Sequence, residues 1–129
     1  MSKRGICQIN IGGKERVFSF RMGFWELIEK EYKTPLGHLM NFVEKQGFKE
    51  IIDLFYCGLL NGTREPDFDR RDVVDWIEDL QETEEGEKEI QKVFEAYLDS
   101  RQVGQMLEAA EKITAEINSK KQEEDTKKK

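Results

Sequence analysis

The sequence predicts an α+β fold, mainly α, in which an N-terminal β-hairpin packs on a small bundle of about five or six helices, followed by a disordered tail. Three features carry that expectation. Apolar and polar residues alternate over residues 6–20, around a Gly12-Gly13 pair. From Met22 onward the apolar residues recur at three- and four-residue spacing, the period of a helix face. From Ser119 the chain reads SKKQEEDTKKK, with no apolar side chain to bury. The expected organisation is one domain over residues 1–118, with the hairpin at 6–20, and a disordered charged tail over 119–129.

The hairpin comes first. Cys7, Ile9 and Ile11 alternate with Gln8 and Asn10, and Phe18 and Phe20 flank Ser19. An even loop, either Gly12-Gly13 alone or Gly12 to Glu15, pairs odd positions with even ones and gathers Cys7, Ile9, Ile11, Phe18 and Phe20 on one face. A lone two-stranded hairpin is marginal in water, so helices are expected to cover that face.

A first helix begins at Met22, with Phe24, Leu27, Ile28 and Tyr32 in phase, Trp25 adjoining, and Lys33-Thr34-Pro35 as its stop. Thr34 and Pro35 suit the N-cap and first turn of the next helix, whose expected buried stripe is Leu36, Leu39, Met40 and Val43 and whose end is Gly47. Phe48 to Leu60, the most apolar run in the chain, is expected to be the central helix. Phe48, Ile51, Ile52, Phe55 and Leu59 form one face, Leu54, Tyr56, Cys57 and Leu60 widen it, and only Lys49, Glu50 and Asp53 look towards water. Asn61-Gly62 is expected to close it in the left-handed conformation. After a linker holding Pro66, Asp69 is the expected N-cap of a helix carrying Val73, Trp76, Ile77 and Leu80, with Asp72 completing a capping box.

Asp75 to Glu89 is strongly acidic, with Lys88 its single cation, and reads as a solvated loop or helix face. Ile90, Val93, Phe94, Tyr97 and Leu98 then form one stripe, and Met106, Leu107, Ala110, Ile113 and Ile117 a later one. Asp99 to Gly104 interrupts the pattern, which leaves open whether 87–117 is one helix or two meeting near Ser100. These stripes follow the compact part of the chain, so they either pack back on the central helix or await a partner. Ile90, Val93, Phe94, Tyr97, Leu98, Met106 and Leu107 are accordingly the candidate partner-binding residues, suited to helix-in-groove contact.

Composition narrows the function. Net charge is −6 and the pI about 5.0, so nucleic acid and anionic membranes are not expected partners. Hydrophobic and charged residues each make up 37%, which describes a lean core beneath a dense ionic surface. No export segment or membrane span is expected, because the residues after Arg4 alternate with polar ones and no long apolar run follows. Cys7 and Cys57 sit far apart within apolar patterns, which suits reduced, buried thiols of a cytoplasmic protein.

Catalytic chemistry needs convergent groups, and few are present. His38 is the single histidine and reads as a surface or boundary residue. Gly12-Gly13 lacks the further glycines and the Lys-Ser/Thr of a phosphate loop. Two scattered thiols and one imidazole do not make a zinc site. Asp67, Asp69 and Asp72 are spaced like a calcium loop, but Arg71 occupies a ligand position, so capping explains them better. No enzymatic activity, catalytic residue, metal or cofactor is expected.

Several motifs in order carry a family resemblance: Ile11-Gly12-Gly13-Lys14 and Phe18 to Gly23 in the hairpin, Tyr56-Cys57-Gly58-Leu59-Leu60, and Asp69 ahead of Val73, Asp75, Trp76 and Ile77. Over roughly residues 8 to 80 the chain resembles the tail assembly chaperones of long-tailed bacteriophages and related small proteins of gene transfer agents. The resemblance implies a non-enzymatic protein of the infected or lysogenic bacterial cytoplasm. Such a protein coats the helical tape measure protein and keeps it soluble while tail tube subunits polymerise around it. It also implies self-association and absence from the mature virion. The competing expectations are a phage structural or head-to-tail connector protein and a small acidic regulator that binds a host factor.

Overall fold

The computed structural model describes residues 4–45, 47–109, 111–113 and 115. Strands β1 (Ile6–Ile11) and β2 (Lys14–Ser19) precede α1 (Met22–Glu31), α2 (Pro35–Lys45), α3 (Phe48–Gly62), α4 (Arg70–Gln81) and α5 (Glu84–Leu98). A sixth helix, α6, follows over 101–109. The architecture is the expected one, a two-stranded hairpin on a helical bundle. The tail expected over 119–129 lies outside the described residues, as do Ala110 and Ile117 of the last stripe.

The hairpin closes through Gly12 and Gly13 alone, both with positive φ (63° and 83°), the left-handed pair that a two-residue turn requires. Pairing runs from Ile6↔Ser19 to Ile11↔Lys14, so odd residues face even ones. Ile9, Ile11 and Phe18 are buried, Phe20 continues the same face, and Cys7 is half-buried beside them. That face lies on the helices: β2 runs along α3 and β1 along α5. Arg16 shares it. Its guanidinium stands 4.5 Å over the Trp76 ring and 5.4 Å from Phe68, donates from Nε to the Ile11 carbonyl (3.0 Å), and pairs through Nη1 with Asp67 (2.8 Å). A buried cation with every face occupied ties the hairpin turn to α4.

Helix α3 is the centre, but its axis of burial is turned from the expected one. Asp53, Leu54, Phe55, Cys57, Gly58 and Leu59 are buried, while Phe48 is 84% exposed. Two glycines explain the turn. A Cβ at Gly58 would lie 2.6 Å from the Phe20 ring, and one at Gly62 would lie 2.1 Å from the Val17 carbonyl oxygen. Both let β2 approach the helix backbone and draw that side of α3 into the core. The left-handed ending expected at Asn61-Gly62 is absent: Gly62 is the last helical residue, and Thr63 follows in extended conformation. Asn61 instead donates from Nδ2 to the Ser19 carbonyl and hydroxyl (3.1 and 3.0 Å).

Asp53, expected on the wet side, is 4% exposed. Its carboxylate accepts from Tyr32 (2.9 Å), Lys49 (3.0 Å) and Arg70 (3.0 Å), tying α1 and α4 to α3. Burial alone would raise its pKa, but these hydrogen bonds outweigh it and hold the carboxyl below the usual value. Tyr32, half-buried against that carboxylate, is pushed up to about 12.

Helix α2 is corrected too. Its buried residues are His38, Leu39 and Phe42, whereas Leu36, Met40 and Val43 of the expected stripe face solvent. His38 is fully buried, against its expected place at the surface. Its Nε2 lies 3.1 Å from the Glu50 carbonyl, which can only accept, so Nε2 carries the proton and donates. Nδ1 then accepts from the Tyr97 hydroxyl at 2.9 Å. Burial holds the imidazole pKa below 6.5, and the ring is neutral.

The two N-caps expected from the sequence are present. Thr34 accepts from the Gly37 amide (3.0 Å) at the start of α2, and Asp69 and Asp72 form a reciprocal capping box on α4. The acidic run divides between two helices: Thr83 caps α5, accepting from the Gly86 amide (2.9 Å), and Glu84, Glu85 and Glu87 occupy its first turn, where the helix dipole favours them. The interruption near Ser100 is a true break. Ser100 is buried and accepts at its hydroxyl from the Val103 amide (3.4 Å), starting α6.

Candidate protein-binding surface

Of the candidate partner-binding residues, Ile90, Val93 and Tyr97 lie in the core. Tyr97 is its hub. Its ring is within 5.3 to 5.9 Å of Phe20, Phe24, Trp25, His38 and Phe42, centroid to centroid. The stripe on α5 therefore packs back on the bundle, one of the two outcomes left open by its pattern. Phe94 and Met106 are half-buried against the core, and Leu98 and Leu107 are exposed. The seven residues do not form one surface. Val93 and Tyr97 cannot be touched by another protein unless the fold opens.

What α5 does provide is one wall of a groove. Between α3, α4 and α5 lies a hollow of about 560 Å³ with Ile51, Ile77, Ile90 and Phe94 among its lining residues. Phe94 is fixed from behind, edge to face with Phe42 (5.2 Å) and Phe55 (6.0 Å). Three β-branched side chains and an aromatic ring supply apolar area with little rotamer freedom, the kind of floor on which another apolar residue gains from burial. The polar lining is Gln81, Glu84, Glu87, Lys88 and Gln91, acidic on balance and, Gln91 apart, drawn from the acidic run.

A second apolar feature lies on α2 and at the start of α3. Leu36, Met40 and Val43 recur at four and three residues along the outward face of α2, and Phe48 stands one helical turn before Ile51 of the groove. Scattered exposed apolar residues are ordinary on a protein surface, but three on one face of α2, followed in the chain by an 84%-exposed phenylalanine, are more than scatter. Sequence reasoning missed these residues as a surface, because periodicity identifies an apolar stripe and not whether the bundle covers it.

The groups that might have carried catalysis are occupied by the fold. Both ring nitrogens of His38 are hydrogen-bonded within the core. The Asp53 carboxylate is shared among three donors. Cys7 and Cys57 are free thiols, and burial pushes them up to about 11 and about 12, far from the thiolate that nucleophilic or metal chemistry needs. Asp67, beside Arg16 and Lys14, is held well below the usual carboxylate range by their hydrogen bonds. Among the described residues no group of three His, Cys, Asp or Glu side chains is placed to hold a metal ion, and no helix is long and apolar enough to cross a membrane. The arrangement is chemically suited to contact. Compared with protein-family models, curated proteins and solved structures, the chain finds no match.

Proposed function

We propose that this protein is a tail assembly chaperone of a long-tailed bacteriophage, which binds the tape measure protein and keeps it soluble while the tail tube protein polymerises around it. The supporting observation is the apolar groove of Ile51, Ile77, Ile90 and Phe94 with its acidic rim, together with exposed Phe48 and the outward stripe of α2. A long helical tape exposes apolar stripes that aggregate, and a small helical protein with uncovered apolar residues of its own can cover them reversibly. In this reading the protein acts in the cytoplasm of the infected or lysogenic bacterium, can associate with itself, and leaves before the virion is complete. No bond is made or broken.

Co-expression with the tape measure protein encoded beside it tests the proposal. A soluble complex that copurifies is the expected result. A tape protein that stays insoluble and does not copurify counts against it, as does recovery of this chain as a stoichiometric component of purified virions.

A further inference from the structure

Away from the groove, the turn before β1, the start of α1 and the start of α6 meet around a hollow of about 540 Å³, with Arg4, Arg21 and Arg101 in its lining. Every charged side chain lining it is an arginine, and its other polar side chains are those of Ser19, Asn61 and Gln102. Among the described residues none of the three arginines pairs with a carboxylate, although the chain carries 27 acidic residues. They come from distant parts of the sequence, so the fold itself assembles them. Arg4 is anchored through Nε to the Asp99 carbonyl (3.1 Å), which leaves its terminal nitrogens available. Asn61, bonded to Ser19, provides a fixed floor. The first turn of α1 adjoins, with neither a side-chain cap nor an acidic residue.

The three arginines are exposed and line one hollow in which no carboxylate takes part, so their positive charges add there. A ligand carrying two negative charges on tetrahedrally arranged oxygens would suit them, because guanidinium groups bind such oxygens through paired, charge-assisted hydrogen bonds. We propose that this hollow is a binding site for a phosphate-type dianion, supplied as free inorganic phosphate or as a phosphomonoester. The site is separate from the proposed partner groove.

The test is calorimetric titration of the full chain at fixed ionic strength, with inorganic phosphate in one arm, glycerol phosphate in another and chloride as the control. Saturable binding is expected in at least one phosphate arm and none with chloride; the tighter arm identifies the source. The double variant Arg21→Gln/Arg101→Gln spares the Arg4 anchor and is expected to weaken binding at least about tenfold, from the loss of two charge-assisted contacts. Absence of saturable binding in both phosphate arms, or unchanged affinity in the variant, overturns the proposal. A second readout does not depend on the variant folding: the backbone amide resonance of Gly23 in the unmodified protein should shift on adding the tighter-binding phosphate, and a resonance that stays in place also overturns it.

Discussion

The contact between His38 and Tyr97 shows how one polar pair can organise an aromatic core. A histidine would ordinarily be placed at the surface, since an unpaired imidazole is costly to bury. Here both nitrogens are satisfied, by the Glu50 carbonyl and the Tyr97 hydroxyl, so the ring packs among aromatics at no net polar cost. Nothing in the sequence around Gly37 and Leu39 announces those partners, because they lie 12 and 59 residues away. The same applies to Asp53, two of whose three donors, Tyr32 just after α1 and Arg70 on α4, lie 21 and 17 residues away. Two predictions belong at this scale. Tyr97→Phe leaves Nδ1 of His38 without its donor and should cost about 1–3 kcal/mol in urea denaturation. The folded pKa of His38 lies below its unfolded value of 6.5, so as pH falls through 6.5 the unfolded chain takes up a proton that the folded one refuses. Stability should therefore decline below that pH, by at most about 1.4 kcal/mol per pH unit from this group. Asp53 acts at lower pH, its folded pKa being depressed, and its contribution is lost as pH falls through that value. Thermal unfolding across pH 4.5 to 7 (roughly the window between these two groups) should show a decline that His38→Gln flattens.

Among the elements, local punctuation was legible except for the helix end expected at Asn61-Gly62, and what tertiary approach decides was not. Gly12-Gly13, Thr34-Pro35 and the Asp69 capping box are short-range chemistry, and the structure puts a turn or a cap at each. The faces of α2 and α3 were misjudged for one physical reason. Helical period sets which residues share a stripe, but the direction of that stripe depends on what comes close. On α3 the decisive residues are Gly58 and Gly62, which carry no hydrophobic signal yet admit Phe20 and the Val17 backbone. The α5 start was legible in hindsight, since Thr83 ahead of Glu84 and Glu85 is a cap followed by an acidic first turn. The exposed stripe of α2 was not, because the same apolar spacing serves a core or a partner. Gly62→Ala should destabilise the fold by about 1–3 kcal/mol, as overpacking does, without loss of helix content by circular dichroism. Thr83→Ala should cost about 1 kcal/mol through the lost cap.

The whole molecule combines a core closed by Tyr97 with a surface left partly uncovered. If the exposed apolar residues of α2 and the start of α3 receive another helix, they should matter little to stability and much to binding. The pair Met40→Ser and Phe48→Ser should leave the melting temperature within a few degrees, because both side chains are exposed, yet reduce capture of the tape measure protein. Reversing charge on the rim with Glu84→Lys and Glu87→Lys should slow association with a basic partner segment and weaken its salt dependence.

The most direct measurement is methyl NMR of isoleucine-labelled protein titrated with a helical fragment of the tape measure protein. Ile51, Ile77 and Ile90 line the groove, whereas Ile28 is sealed in the core and Ile9 lies on the covered face of the hairpin, so the isoleucines separate the two regions. The account predicts that the methyl resonances of Ile51, Ile77 and Ile90 shift on binding while those of Ile9 and Ile28 stay in place. Binding that leaves the three groove methyls unmoved, or no binding at all, would contradict it.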